Sequence, residues 1–232
     1  MKPDFHKIGV FATVLLAFAA IFTVSATRTN AQEVVDKTVA VVRNGASTEL
    51  ITYSDLMWQL ALQPGVSLDK PRSQDLNEAL QTLINQRLFT IEAARLPRTA
   101  PSDKEIADKI SETLAYFPSP AVFEARLKQV GFQSVKDEAF ERLIAQRVAT
   151  EKYVDFRFAS FVVVTSDDEA KYYNDTYVPA FRKRSPGVLV PTLDEASPTL
   201  HKTLTQQKVA AGIESFLDET KRRAVIDVLI EV

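Results

Sequence analysis

The stretch SQDLNEALQTLINQRLFTIEAARL, residues 73–96, decides how this chain folds. Its large apolar residues are Leu76, Leu80, Leu83, Ile84, Leu88 and Ile91, spaced by threes and fours, with polar and charged residues between them. That spacing puts them on one stripe of an α-helix and predicts a helix from Ser73 to about Leu96 that buries the stripe. Pro97 stops it. Upstream, Pro64-Gly65 closes a shorter helix that opens at Ser54, read as its N-cap, and runs to about Leu62. Before that helix, the β-branched run Thr38–Val42, the turn dipeptide Asn44-Gly45 and the return Leu50-Ile51-Thr52 predict a small hairpin with a slightly long loop.

Downstream the punctuation stays helical. Ser102 and Glu105 form a capping box ahead of Ile106, Ile110 and Leu114. Ser119-Pro120 is a helix start, and Gly131 a natural stop. Ser134 opens the next helix, with Phe140, Leu143, Ile144 and Val148 on one side and an end near Phe156. A brief apolar run, Phe161–Val164, precedes a second capping box, read at Ser166 and Glu169, leading into Tyr172, Tyr173 and Tyr177. Pro179 ends or kinks that segment. Pro186 to Pro198 holds three prolines and a glycine in thirteen residues and reads as a linker. A last helix runs from Leu204 to about Lys221 with Val209, Ile213, Phe216 and Leu217 inward. Arg222-Arg223 sit at its C-terminal end, where the helix dipole favours cations, and Ala224–Ile230 reads as a strand.

The predicted class is therefore mostly α, with strands only near the two ends. A two-stranded hairpin alone is marginal in water, so the C-terminal strand is expected to join the N-terminal hairpin in one small sheet, with the helices filling the middle. The expected division is a signal peptide over 1–31, a hairpin plus helical core over 32–185, a linker over 186–200 and a C-terminal helix and strand over 201–232 that pack back on the core. The signal reading rests on Lys2 and Lys7, the charge-free run Ile8–Val24 and the small-x-small triplet Thr29-Asn30-Ala31, which places cleavage after Ala31; Val24-Ser25-Ala26 is a second site. An uncleaved inner-membrane anchor is the alternative.

Composition excludes several chemistries. The chain has 28 Lys and Arg against 30 Asp and Glu, a net charge of −2. Removing 1–31 takes away Lys2, Lys7, Arg28 and Asp4, leaving 25 against 29 and a charge of −4. An acidic chain is a poor nucleic-acid partner. There is no cysteine, hence no disulfide, thiol nucleophile, thiolate metal site or lipid-bearing cysteine, and export without disulfides suits a bacterial periplasm. Beyond residue 31 the one histidine is His201 beside Lys202, read as a surface residue, which leaves a hydrolase triad without a base. Gly45, Gly65, Gly131, Gly187 and Gly212 are too scattered for a nucleotide loop. Asp167-Asp168-Glu169 answers a helix dipole rather than a cation, and Arg182-Lys183-Arg184 reads as a solvated face. No catalytic, cofactor or metal residue is expected. What stands out is a surplus of large apolar residues on short helices. Most belong to a core, but Met57, Trp58, Tyr116, Phe117, Phe123 and Phe132 are candidates to line a groove for an apolar peptide.

The order of motifs resembles the SurA-type periplasmic chaperones. Val34–Val42 is similar to their "V-D-x-V-V-A-V-V" opening, Ile51-Thr52-Tyr53-Ser54-Asp55-Leu56 to their "I-T-x-S-D-L" segment, Leu83–Leu88 to the "L-I-x-x-x-L" of their long helix, and Val164–Glu169 with Tyr172-Tyr173 to their "V-T-D-x-E-V-x-x-Y-Y" segment. Arg222–Leu229 is similar to their closing strand. The resemblance implies the helical module shared with trigger factor and with membrane-anchored foldases. It implies an ATP-independent holdase for unfolded or extended outer-membrane and envelope proteins, with no nucleotide or other cofactor. Many members carry a parvulin prolyl-isomerase domain before the last helix. The fifteen residues Pro186–Leu200 are too few to hold one, so isomerase activity is not expected. An isomerase accessory and an envelope scaffold are the alternatives, and a dimer formed by exchange of the last elements stays open.

Overall fold

The computed structural model describes residues 36–96 and 100–232. The signal segment, its cleavage sites and the stop at Pro97 lie outside these residues. Strand β1 (Thr38–Asn44) pairs antiparallel with β2 (Ser47–Thr52). The connection is tighter than its sequence suggests: Asn44 and Ser47 are partners, leaving only Gly45 and Ala46 between the strands. Gly45 has φ 64°, and no non-glycine residue among those described has positive φ. Glycine at the first of two turn positions is the type II′ signature, whose twist matches a hairpin. Strand β3 (Val225–Val228) pairs antiparallel with the other edge of β1, giving the order β2-β1-β3. The two ends of the described chain thus meet in one sheet, as the marginal stability of a lone hairpin required. Ala40, Val42 and Asn44 turn inward, and a register shift between Thr38 and Ala40 buries Val39 with them.

Helix α1 (Tyr53–Ala61) follows β2 directly. Its cap is Thr52, not Ser54: Thr52 Oγ1 accepts from the Asp55 backbone N–H at 3.2 Å, and the Asp55 carboxylate accepts from the Thr52 N–H at 3.0 Å. Ser54 instead donates its N–H to Asp36. The same kind of displacement recurs at α6 (Ser166–Tyr172), where the box is Thr165 with Asp168 rather than Ser166 with Glu169. In both places a threonine and an aspartate three residues apart, with their β-extended N-cap backbone, satisfy the first helical donors.

Helix α2 (Ser73–Ala93) buries all six stripe residues. Helix α3 (Asp103–Leu114) carries the expected Ser102–Glu105 box, and α4 (Pro120–Gln129) the expected Ser119 cap with Pro120 in the first turn. Helix α5 (Glu138–Val154) begins after Asp137, four residues later in its first helical turn than a Ser134 start implies. Ser134 Oγ accepts from the Lys136 N–H in a turn, while the Asp137 carboxylate takes the N–H groups of Gln133 and Ala139. A π-helical turn, Asp155–Ala159, prolongs α5. Pro179 does not end the tyrosine segment. Helix α6 passes through a second π-helical turn, Tyr173–Tyr177, into α7 (Val178–Arg184), where Pro179 lies in the first turn. The Val178 N–H already bonds five residues back to Tyr173, so the proline's missing donor falls where the ladder has shifted.

The largest departure is helix α8, which spans Leu193–Arg223. Its first half occupies sequence read as linker. Thr192 and Glu195 form a capping box, and Pro198 is carried inside the helix. A proline in the second turn lacks a donor only for a carbonyl close to the helix start, where the cost is smallest. Three apolar clusters result. The sheet, α1 and α2 share one. Phe117, Phe123, Leu127, Phe132, Phe140, Ile144 and Val148 form a second under α3. Phe89, Ala93, Tyr153 and Phe216 join α2, α5 and α8 in a third. No helix among the described residues is long and apolar enough to cross a membrane.

Candidate client-binding groove

Helix α3 is amphipathic but has no fully buried residue. Ile106, Ile110 and Leu114 fall four apart on its inner face and lean on the second cluster without closing over it. Two ion pairs to α5 hold the helix in place. Lys109 Nζ lies 2.9 Å from Glu151, and Lys152 Nζ lies 2.7 Å from Glu105. The Lys152 ammonium, with the Ser102 N–H and hydroxyl, lowers the Glu105 carboxyl to about 2. Partial burial works against the Lys109 charge, yet Glu151 and Glu112 raise its pKa. On the side away from these pairs an open groove of about 620 Å³ remains, lined by Ile106, Ile110, Leu114 and Val135, with Lys136 and Glu141 at the rim. Its floor is aliphatic, its rim carries both signs of charge, and its size accommodates a few side chains of an extended peptide.

None of the six residues singled out from sequence lines this groove. Phe117, Phe123 and Phe132 are buried beneath it, Phe123 fully so, with Phe117–Phe123 centroids 4.7 Å and Phe132–Phe140 centroids 5.4 Å apart. Trp58 is half-buried against Phe132 at 5.2 Å, and its Nε1 donates to the Val130 carbonyl at 3.0 Å. Met57 packs on the sheet-side cluster. Only Tyr116, 66% exposed just past α3, presents its ring to solvent. The aromatics therefore build the support, and the aliphatic stripe of α3 builds the wall. Sequence carried one signal for this: a three-residue stripe on a short helix rich in charge has too little apolar surface to be sunk into a core.

A second, polar cavity of about 120 Å³ lies among α1, α2 and α5. Asp55 and Arg87 pair across it at 3.1 Å. Arg147 reaches Gln59 Oε1 from the opposite wall, but its Nε is buried without a partner. Burial lowers the Arg147 pKa. Arg126 makes a contrast. Its guanidinium donates to the carbonyls of Leu60, Ala61, Gln63 and Val66 at 2.8–3.1 Å, satisfying the open end of α1 and the turn after it. Among the described residues no group of three His, Cys, Asp or Glu could hold a metal ion. His201 is exposed in mid-helix, with Nδ1 2.8 Å from Glu169 Oε1. Neither the protein-family models nor the curated proteins contain a match to this chain.

Proposed function

We propose that this protein is an ATP-independent holdase of the bacterial periplasm, binding unfolded or extended segments of outer-membrane and envelope proteins. The observation that carries this reading is the open aliphatic groove along α3, set on a helix that the fold leaves half covered. The shared order of motifs with SurA-type chaperones supports it. The charge-free run Ile8–Val24 supports the compartment. Binding is by apolar contact, and release is passive dissociation.

The test mixes residues 32–232 with a denatured outer-membrane protein and follows light scattering. Suppression of aggregation at a few-fold excess is the expected result; its absence overturns the reading. Ile110→Lys, which places an ammonium on the groove floor, should abolish suppression. Since the chain has no cysteine, Ser111→Cys carries a single photo-crosslinker at the groove edge and should capture the client. Clear acceleration of proline-peptide isomerisation would move the protein to the isomerase reading instead.

A further inference from the structure

Helix α6 runs against the first half of α8 as a helical hairpin, and the π turn and α7 carry the first arm on toward the connecting turn. Polar contacts order its length: Lys208 reaches Asp168 and the Val163 carbonyl, Glu169 takes Ser197 and His201, and the Tyr173 hydroxyl donates to the Pro191 carbonyl at 2.6 Å. The turn of this hairpin is Ser185-Pro186-Gly187-Val188-Leu189-Val190-Pro191-Thr192. Its middle does not fold inward. Leu189 is 93% exposed and Val188 58% exposed. On the last turn of α7, immediately before, Arg182, Lys183 and Arg184 are all exposed. None of the three has a carboxylate partner among the ion pairs of the described residues. The nearest acids in sequence are Asp175, exposed in the π turn before α7, and then Asp194 and Glu195, which begin α8, where the Glu195 carboxylate is folded back onto Thr192.

We propose that this hairpin tip docks on the surface of a bilayer rich in anionic phospholipid, with Val188 and Leu189 entering the headgroup–acyl boundary and Arg182, Lys183 and Arg184 contacting lipid phosphates. Either feature alone has an ordinary explanation: cations at a helix C-terminus answer its dipole, and a single exposed apolar residue is unremarkable on a surface. Together they form a wedge with a cationic collar, and the charge selects the occupant. An apolar peptide gains nothing from three unpaired cations. A bilayer of anionic lipid gains from both parts, each cation near such a surface adding its own attraction and the apolar tip burying area. The chain as a whole is acidic, with net charge −2, so an anionic surface repels most of it and turns the basic tip inward. Only the tip touches lipid, which leaves the α3 groove free.

The three core clusters lie wholly within residues 36–232, which form one compact unit, so the chain from residue 32 onward serves without the apolar N-terminal run. Leu189→Cys supplies a unique thiol for an environment-sensitive fluorophore. The labelled protein is mixed with phosphatidylcholine vesicles, with and without phosphatidylglycerol, at low and high salt. A blue shift only with anionic vesicles, reversed by salt, is expected. Changing Arg182, Lys183 and Arg184 to Gln together should weaken vesicle flotation on the order of 100-fold, with the thermal melt unchanged because these side chains lie outside the cores. Flotation with a silent probe at 189, equal response to uncharged vesicles, or a shift produced by unfolded polypeptide without lipid would each overturn the proposal. Vesicle binding without suppression of aggregation would sink the holdase reading and leave this one standing.

Discussion

The body of this molecule and its helical hairpin are held by different forces. In the body, Phe123, Phe140, Leu88 and Ile51 are wholly buried, and three clusters knit the sheet to α1–α5. Along the hairpin only Ala196, Leu200 and Leu204 are buried, and no residue of α6 or α7 is. Its partners meet instead through Asp168–Lys208, Glu169–His201 and the hydrogen bond from the Tyr173 hydroxyl to the Pro191 carbonyl. Apolar burial is cooperative and insensitive to pH, whereas half-exposed ion pairs are weak and screened. The hairpin should therefore open separately, at lower cost than the body, as low-stability segments do.

The strongest attempt to break this contrast is a cavity in the body. Phe123→Ala should cost about 3–5 kcal/mol, since Phe123 touches Phe117 and Phe140 and has no exposed surface. Denaturant unfolding followed by circular dichroism measures it. If the loss is below ~1 kcal/mol, the aromatic layer under α3 is not a packed core. Next comes Arg126→Met, which keeps the aliphatic stem but strands four backbone carbonyls; a loss of about 2 kcal/mol is expected, reduced from the buried value because the site is part-exposed. Arg147→Met is the companion measurement. Arg147 leaves its Nε unpartnered but donates to the buried Gln59 Oε1, so exchange for an apolar side chain strands one acceptor rather than four and should cost less than Arg126→Met.

The same contrast explains what could be seen in the sequence. Leu76 to Ile91 declared a buried stripe because apolar periodicity reflects burial directly, and every member is in the core. The union of the sheet ends followed from a general instability of lone hairpins. In the hairpin arm little apolar pattern exists to be seen. Pro186, Pro191 and Pro198 dominated the composition, yet Pro198 sits inside α8 because Thr192 and Glu195 start the helix six residues earlier. The open groove along α3 is hidden in the sequence for a related reason. Aromatic residues mark large burial, and Phe117, Phe123 and Phe132 obey that rule. The groove wall is made by Ile106, Ile110 and Leu114, whose stripe looks the same in sequence whether it is covered or left half open.

Acid should separate the two regions more gently. Lys208, then the Thr165 N–H and hydroxyl, hold the Asp168 carboxyl down at about 2. Ser197 and then His201 lower Glu169. Carboxylates with depressed native pKa stabilise fully above their unfolded values, near 4, and lose that contribution as pH falls through 4 toward 2. Amide protection in residues 166–184, corrected for intrinsic exchange, should fall across that window while protection in α2 persists. Asp168→Asn should remove part of the pH dependence in the hairpin. Glu105, also held at about 2 through Lys152 and Ser102, should let α3 loosen alongside it. Uniform loss of protection across the chain would erase the distinction between body and hairpin.

The smallest effect lies where the two regions join. Gly212 is in the middle of α8, between the part that packs on α6 and the part that carries Phe216 into the third cluster. A Cβ at this position would meet Phe158 Cδ1 at 3.4 Å, the near edge of ordinary contact. Glycine inside a helix costs up to about 1 kcal/mol relative to alanine through backbone entropy. Gly212→Ala should therefore stabilise by somewhat less than ~1 kcal/mol, and it should do so by stiffening the passage from hairpin to body. Slower exchange in residues 205–215 with an unchanged body is the expected signature. Destabilisation would mean that Phe158 cannot yield, and that α8 is bound to the body at this point as tightly as the core helices are bound to one another.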